Sequence, residues 1–153
     1  MKIFSAFALC FICIHLYACN DSNVEQSNSI IKTINTDTMK LKITISTNIF
    51  IATLYDNATA KAFKARLPMT ISMTELNGDE KYFDLPERLP TNASNPGTIQ
   101  TGDLMLFGSK TLVLFYKTFS TSYSYTRLGR IDNPSGLAAA LGSGNVKVTF
   151  EVD

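Results

Sequence analysis

The side chains best suited to covalent or metal chemistry crowd one end of this 153-residue chain. His15, Cys10, Cys13 and Cys19 all fall within the first nineteen positions, and no His or Cys follows them. Ser-His-Asp and Cys-His catalysis need a base or a thiol beside the substrate, and beyond residue 19 the sequence offers neither. A structural zinc would lack its Cys/His ligand set, so neither metal nor cofactor is expected. Glu75, Asp79, Glu80, Asp84 and Glu87 form a carboxylate-bearing stretch without EF-hand spacing, and read as a solvated face. Gly108-Ser109-Lys110-Thr111 lacks the Gly-Lys-Ser/Thr adjacency of a phosphate loop and reads as a hairpin turn. The richest segment is Phe115 to Arg130. Phe115, Tyr116, Phe119, Tyr123 and Tyr125 are followed by Arg127 and Arg130, with hydroxyl residues between. This composition fits an aromatic groove with Arg donors for a peptide or small polar ligand. It equally fits a strand pair whose aromatics fill a core. A net charge of +1 supplies no basic field for phosphates, so nucleic acid is not an expected partner.

The Cys and His residues make better sense as an address. Met1-Lys2 is a short positive start, and Ile3 to Ala18 is uncharged and apolar. That run reaches about 24 Å as a helix, short of the ~30 Å of a bilayer core but suited to a secretory leader. It ends in Leu16-Tyr17-Ala18-Cys19 before polar Asn20-Asp21-Ser22, which resembles the lipobox of bacterial lipoproteins. The resemblance implies that residues 1–18 are removed, that Cys19 is lipidated, and that the protein is exported and membrane-anchored in the cell envelope. Several acyl chains on one Cys exceed what stable anchoring needs, so no basic patch is required. With the leader goes Lys2, and the remaining chain is formally neutral. Residues 19–39 then read as the lipidated N-terminus and a flexible tether, and 40–153 as one domain large enough for a core.

The domain is strand-rich. Leu41, Ile43 and Ile45 alternate with Lys42 and Thr44, and Ser46-Thr47-Asn48 turns the chain into Ile49 to Tyr55, a hairpin. Asp56 or Asn57 offers an N-cap for a helix over Ala58 to Leu67, which Pro68 ends. A long irregular loop spans Asp84 to Thr98. Leu104 to Phe107 and Thr111 to Lys117 read as paired strands, Tyr123 to Ile131 as another, and Val146 to Val152 as a closing strand. Ser135 is placed as the cap of a short helix, Gly136 to Leu141, stopped by Gly142. Short strands and two small helices without a βαβ rhythm predict a mainly β fold, a small barrel or β-rich domain.

Several segments, in order and spacing, are similar to a bacterial cyclophilin-like domain family. They include Ile43-Thr-Ile, Leu54-Tyr-Asp-Asn-Ala-Thr-Ala-Lys-Ala-Phe63, Met73-Thr-Glu-Leu-Asn-Gly-Asp-Glu-Lys-Tyr82 and Gly102-Asp-Leu-Met-Leu. Leu114-Phe-Tyr-Lys-Thr-Phe-Ser120, Tyr123-Ser-Tyr-Thr-Arg-Leu-Gly129 and Ser135-Gly-Leu-Ala-Ala-Ala-Leu-Gly142 continue the match. The resemblance implies a closed β-barrel with two short capping helices. Cyclophilins twist X-Pro amides using an Arg, a Gln and an apolar pocket, against a barrier of ~18–20 kcal/mol. Their Phe-His-Arg, Gln-Gly-Gly and Ser-Gln-Phe-Phe signatures are absent from this chain. Stand-ins for those roles would be Arg127 or Arg130, Gln100, and Phe107, Phe119 or Tyr123; with Tyr125 these are the candidate ligand-binding residues. The expected function is a lipid-anchored, non-catalytic module for a peptide or small ligand. The alternatives are a weak prolyl isomerase or periplasmic folding helper, and a structural envelope module.

The anchor makes a direct prediction. Cys19→Ser should move the protein from the membrane to the soluble fraction on cell fractionation, and retention in the membrane would rule out Cys19 as the attachment point.

Overall fold

The computed structural model describes residues 39–153; the leader, Cys19 and the tether up to residue 38 lie outside the described residues. Strand β1 (Lys40–Ile45) buries Leu41, Ile43 and Ile45 on one face and turns Lys42 and Thr44 to the other, as period-2 patterning demands. It pairs with β2 (Asn48–Leu54) through a two-residue turn in which Ser46 takes φ 54°. Helix α1 (Ala58–Lys64) opens at Asn57, whose side-chain oxygen accepts from the Ala60 N–H at 2.8 Å. It stops short of the Leu67 limit because the ring of Pro68 disfavours the α conformation at the residue before it. The last N–H groups, on Arg66 and Leu67, fall back to the carbonyls of Phe63 and Lys64.

Two further strands follow, β3 (Met69–Leu76) and β4 (Glu80–Asp84), of which β4 lies within the stretch expected to be a solvated carboxylate face. Asn77 and Gly78, at φ 56° and 72°, make the turn between them, in the left-handed pair that a tight hairpin requires. After a long loop come β5 (Thr98–Ile99), β6 (Asp103–Phe107), β7 (Thr111–Phe115), β8 (Phe119–Ser120) and β9 (Tyr125–Ile131). Helix α2 (Leu137–Leu141) and β10 (Val146–Val152) complete the domain. Ser135 is not the cap of α2. Its N–H is turned back to the Asn133 side chain, and the helix begins after Gly136, at φ 81°, without a side-chain cap.

The ring runs β1-β10-β3-β4-β7-β6-β9-β2 and closes, every pair antiparallel. Closure leaves no edge strand in the ring. The interior is filled by Leu41, Ile43, Ile45, Leu104, Leu106, Leu112, Leu114 and their neighbours, with Phe63 of α1 set edge-on to Phe150 at 5.8 Å. Leu137 and Leu141 of α2 are also buried. Lys81 points inward too, fully buried, where it meets the Glu75 carboxylate and donates to the carbonyls of Gly142 at 2.8 Å and Gly144 at 2.7 Å. The Tyr116 hydroxyl donates to the same carboxylate at 2.8 Å. Glu75 is thus a structural counter-charge, since an unpaired buried ammonium would be very costly. Among the described residues no helix is long and apolar enough to cross a membrane.

Gly129 makes the closing seam tight. It pairs with Leu54 across β9 and β2, and a Cβ there would sit 2.6 Å from the Thr53 carbonyl oxygen. Gly129→Ala should therefore push the strands apart and cost about 1–3 kcal/mol, read as a lower urea midpoint. An unchanged midpoint would show that the seam has slack.

Candidate functional site

In the wall β4-β7-β6-β9, the central strands β6 and β7 are largely apolar on both faces. Along β6 and β7 the residues Leu104, Leu106, Leu112 and Leu114 point into the barrel, while Met105, Val113 and Phe115 point out. A sheet buried on both sides reads as a continuous apolar run, which is why neither strand alternates polar with apolar. The outer face is covered in part by the two-stranded ribbon β5–β8, through which Ile99 and Phe119 pack on it. The ribbon is tied down where the Thr121 N–H donates to the Gly97 carbonyl at 2.9 Å.

Beside the ribbon the outer face is left open as a groove of about 580 Å³. Register sets its floor. Asp84, Thr111, Phe107 and Tyr125 form one row across the four strands, with Tyr82 and Val113 in the next and Glu80 beside Phe115 in a third. Phe119, Ser120, Thr121, Ser122 and Tyr123 form the opposing rim. The rings brace one another. Phe115 meets Tyr125 edge-on at 5.5 Å and Phe119 at 5.8 Å, while Phe107 contacts Tyr125 at 5.6 Å and Tyr123 at 6.1 Å. Tyr125 is buried at the hub, whereas Phe107 and Tyr123 are 45% and 63% exposed, an unusual amount of open aromatic surface.

The charged lining is wholly acidic: Asp79, Glu80 and Asp84, without a Lys or Arg. Asp84 accepts from the Thr111 hydroxyl at 2.6 Å, and Asp79 lies 3.4 Å from the Lys117 ammonium. The Glu80 carboxyl has no partner among the described residues. Burial, then the nearby charges of Asp79 and Glu75, push its pKa up to about 7. Burial, with Glu80 next, also raises the Tyr125 hydroxyl.

The expected site residues divide. Phe107, Phe119, Tyr123 and Tyr125 line the groove; Gln100, Arg127 and Arg130 do not. A bulge is responsible. β6 and β9 slip register between Leu104 and Met105, so that Leu104 opposes Gly129 and Met105 opposes Arg127, with Leu128 extra and buried inside. Arg130 then lies opposite Asp103, its Nε 3.7 Å from that carboxylate, at the far end of β6 from Phe107. Four residue steps put that end ~13 Å away. Gln100 sits in the turn there, its N–H donating to Asp103 at 2.8 Å. Burial raises the Asp103 pKa, although the Gln100 N–H and the charges of Arg130 and Arg127 oppose the rise. The groove residues not anticipated from sequence include Glu80, Tyr82 and Asp84, at i, i+2 and i+4 on one face of β4.

The family model for the cyclophilin-like family matches residues 43–151. The chain belongs to the cyclophilin-like family. Its barrel is also similar to the solution structure of a hypothetical protein from Archaeoglobus fulgidus, with a TM-score of 0.58 and 20% identity. That alignment covers 76% of this chain and 95% of the other, and the likeness is one of fold. Among curated proteins nothing matches.

Glu80 gives this cyclophilin-like barrel a pH signature. Below about pH 4.5 the residue is protonated both folded and unfolded. Between about 4.5 and 7 the unfolded chain loses the proton first, so this group's contribution to stability falls as pH rises, and above 7 the loss is complete. Glu80→Gln should therefore raise the urea midpoint at pH 8 and leave it nearly unchanged at pH 4. A gain of equal size at both pH values would contradict the assignment.

Proposed function

We propose that this chain is a non-catalytic binding module for a small ligand, exported as a lipoprotein and held at a membrane of the cell envelope through Cys19. The observation that carries the binding reading is the groove itself, a concave surface in which the rings of Tyr82, Phe107, Phe119, Tyr123 and Tyr125 sit among hydroxyl, amide and carboxylate side chains. Its volume falls within the ~300–1,000 Å³ usual for small-ligand sites. Two large rings, Phe107 and Tyr123, stand exposed at its margin when each could have been replaced by a polar residue without loss to the barrel interior.

The residue types in and around the groove do not favour covalent chemistry. Residues 39–153 contain no His and no Cys, and the groove hydroxyls of Ser120, Thr121 and Ser122 have no base beside them except carboxylates. Lowering the barrier to X-Pro rotation requires a donor that meets the prolyl nitrogen as the amide twists. Both candidate arginines lie outside the groove, and the charged side chains lining it are acceptors when ionised. The anchor reading rests on Leu16-Tyr17-Ala18-Cys19 and the polar residues after it.

A proline-isomerisation assay on the full chain in detergent separates this reading from the enzyme. The expected rate is that of buffer alone. An accelerated rate that disappears with Phe107→Ala or Tyr123→Ala would overturn the non-catalytic reading and place isomerase chemistry in this groove.

A further inference from the structure

The groove's chemistry narrows its ligand. We propose that it takes a small organic cation, an ammonium group seated against Glu80 with an apolar body among the rings of Tyr82, Phe107, Tyr123 and Tyr125. The inference rests on the binding reading above and adds the ligand class.

Charge complementarity is the first support. Three carboxylates line the groove and no cationic side chain does. An anionic ligand would be repelled, and a neutral apolar one would further desolvate Glu80 without giving it a partner, which is costly. The second support is the state of those carboxylates. Asp84 is engaged by Thr111 and Asp79 by Lys117, whereas Glu80 has no partner among the described residues. A ligand N–H supplies the missing donor through a charge-assisted bond. Third, aromatic faces attract cations electrostatically, and the groove presents several beside the acidic group. The groove's volume suits a small molecule, and the closed ring itself has no free edge for an added peptide strand, which leaves only the two-residue strands of the β5–β8 ribbon.

Ligand and proton then compete for Glu80. The titratable groups around it are Asp79 in the turn, Tyr82 and Asp84 on β4, and Tyr123 and Tyr125 on the aromatic side, with Glu75 on β3 and Tyr116 after β7 acting on it from the opposite face. Lys117 is held on Asp79, and Lys81 is turned inward on Glu75. A cation at Glu80 favours the ionised form, so affinity should rise as pH goes from 6 to 8.

The test uses three probes of one ring and tether length and different charge: phenethylammonium, 2-phenylethanol and phenylacetate. Each is titrated calorimetrically into the full chain in detergent at pH 8. Glu80→Gln is measured alongside, so that partition into micelles cancels. Phenethylammonium should bind about tenfold more tightly than 2-phenylethanol, with phenylacetate weakest, and Glu80→Gln should erase that tenfold while leaving 2-phenylethanol within about twofold. Equal affinity for phenethylammonium and 2-phenylethanol would overturn the cation inference and leave the binding reading standing. Binding of a lysine-rich peptide but not of phenethylammonium would overturn the small-molecule assignment. If neither the probes nor the peptide binds, both readings fall.

Discussion

Closing eight strands into a ring settles what every outward-facing residue must do. Inward side chains have nowhere to go but a filled core, and the ring admits no edge at which to hide an irregularity. On most of the circumference the outer face can be polar, as in β1, β2 and β10. Over β6, β7 and the start of β9 it is not: Met105, Val113, Phe115 and Tyr125 point outward and are buried. Such a face must be covered, and the chain covers it with the short β5–β8 ribbon. The ribbon is smaller than the face it protects. The groove is the remainder, and its aromatic walls are the outer core seen from its open side.

The same economy explains the polar groups. Lys81 and Glu80 are neighbours on one strand, so they point to opposite faces. Lys81 falls inside the ring and is matched there by Glu75, Tyr116 and the carbonyls after α2. That network occupies Glu75 fully, and its alignment holds the Glu75 pKa low even though burial alone would raise it. Glu80 falls outside, in the groove, where no comparable set of partners has been provided. One residue is a closed structural device and the next is an open one.

Much of the fold was legible. Alternation marked β1, β2 and β10, the Asn57 cap was visible, and the order of segments resembled a known family whose barrel architecture holds here. What escaped was β3 and β4. Met69, Ile71 and Met73 do alternate, and Asn77-Gly78 is a strong hairpin signal, but the acidic residues around it drew attention to charge rather than period. Missing β4 hid the groove's acidic row. Arg127 and Arg130 lie outside the groove for a different reason. A one-residue bulge opposite Leu104 is invisible in the pattern of β9, yet it decides how Arg127 and Arg130 are set along the wall. Phe119, Tyr123 and Tyr125 stood out in the aromatic-rich segment, and Phe107 through the family resemblance. The carboxylate that lies beside them, Glu80, needed the register.

The central claim is that Glu80 stands half-buried and unmatched in that groove, and its own carboxyl carbon can report on this. A 13C NMR titration of the side-chain carboxyl signals, with Glu80 assigned from the spectrum of Glu80→Gln, measures its ionisation directly. The account requires a midpoint near pH 7, well above the 4.5 of an ordinary glutamate. A midpoint at the ordinary value would mean that Glu80 is solvated or paired, and the groove would lose the group on which its ligand chemistry rests.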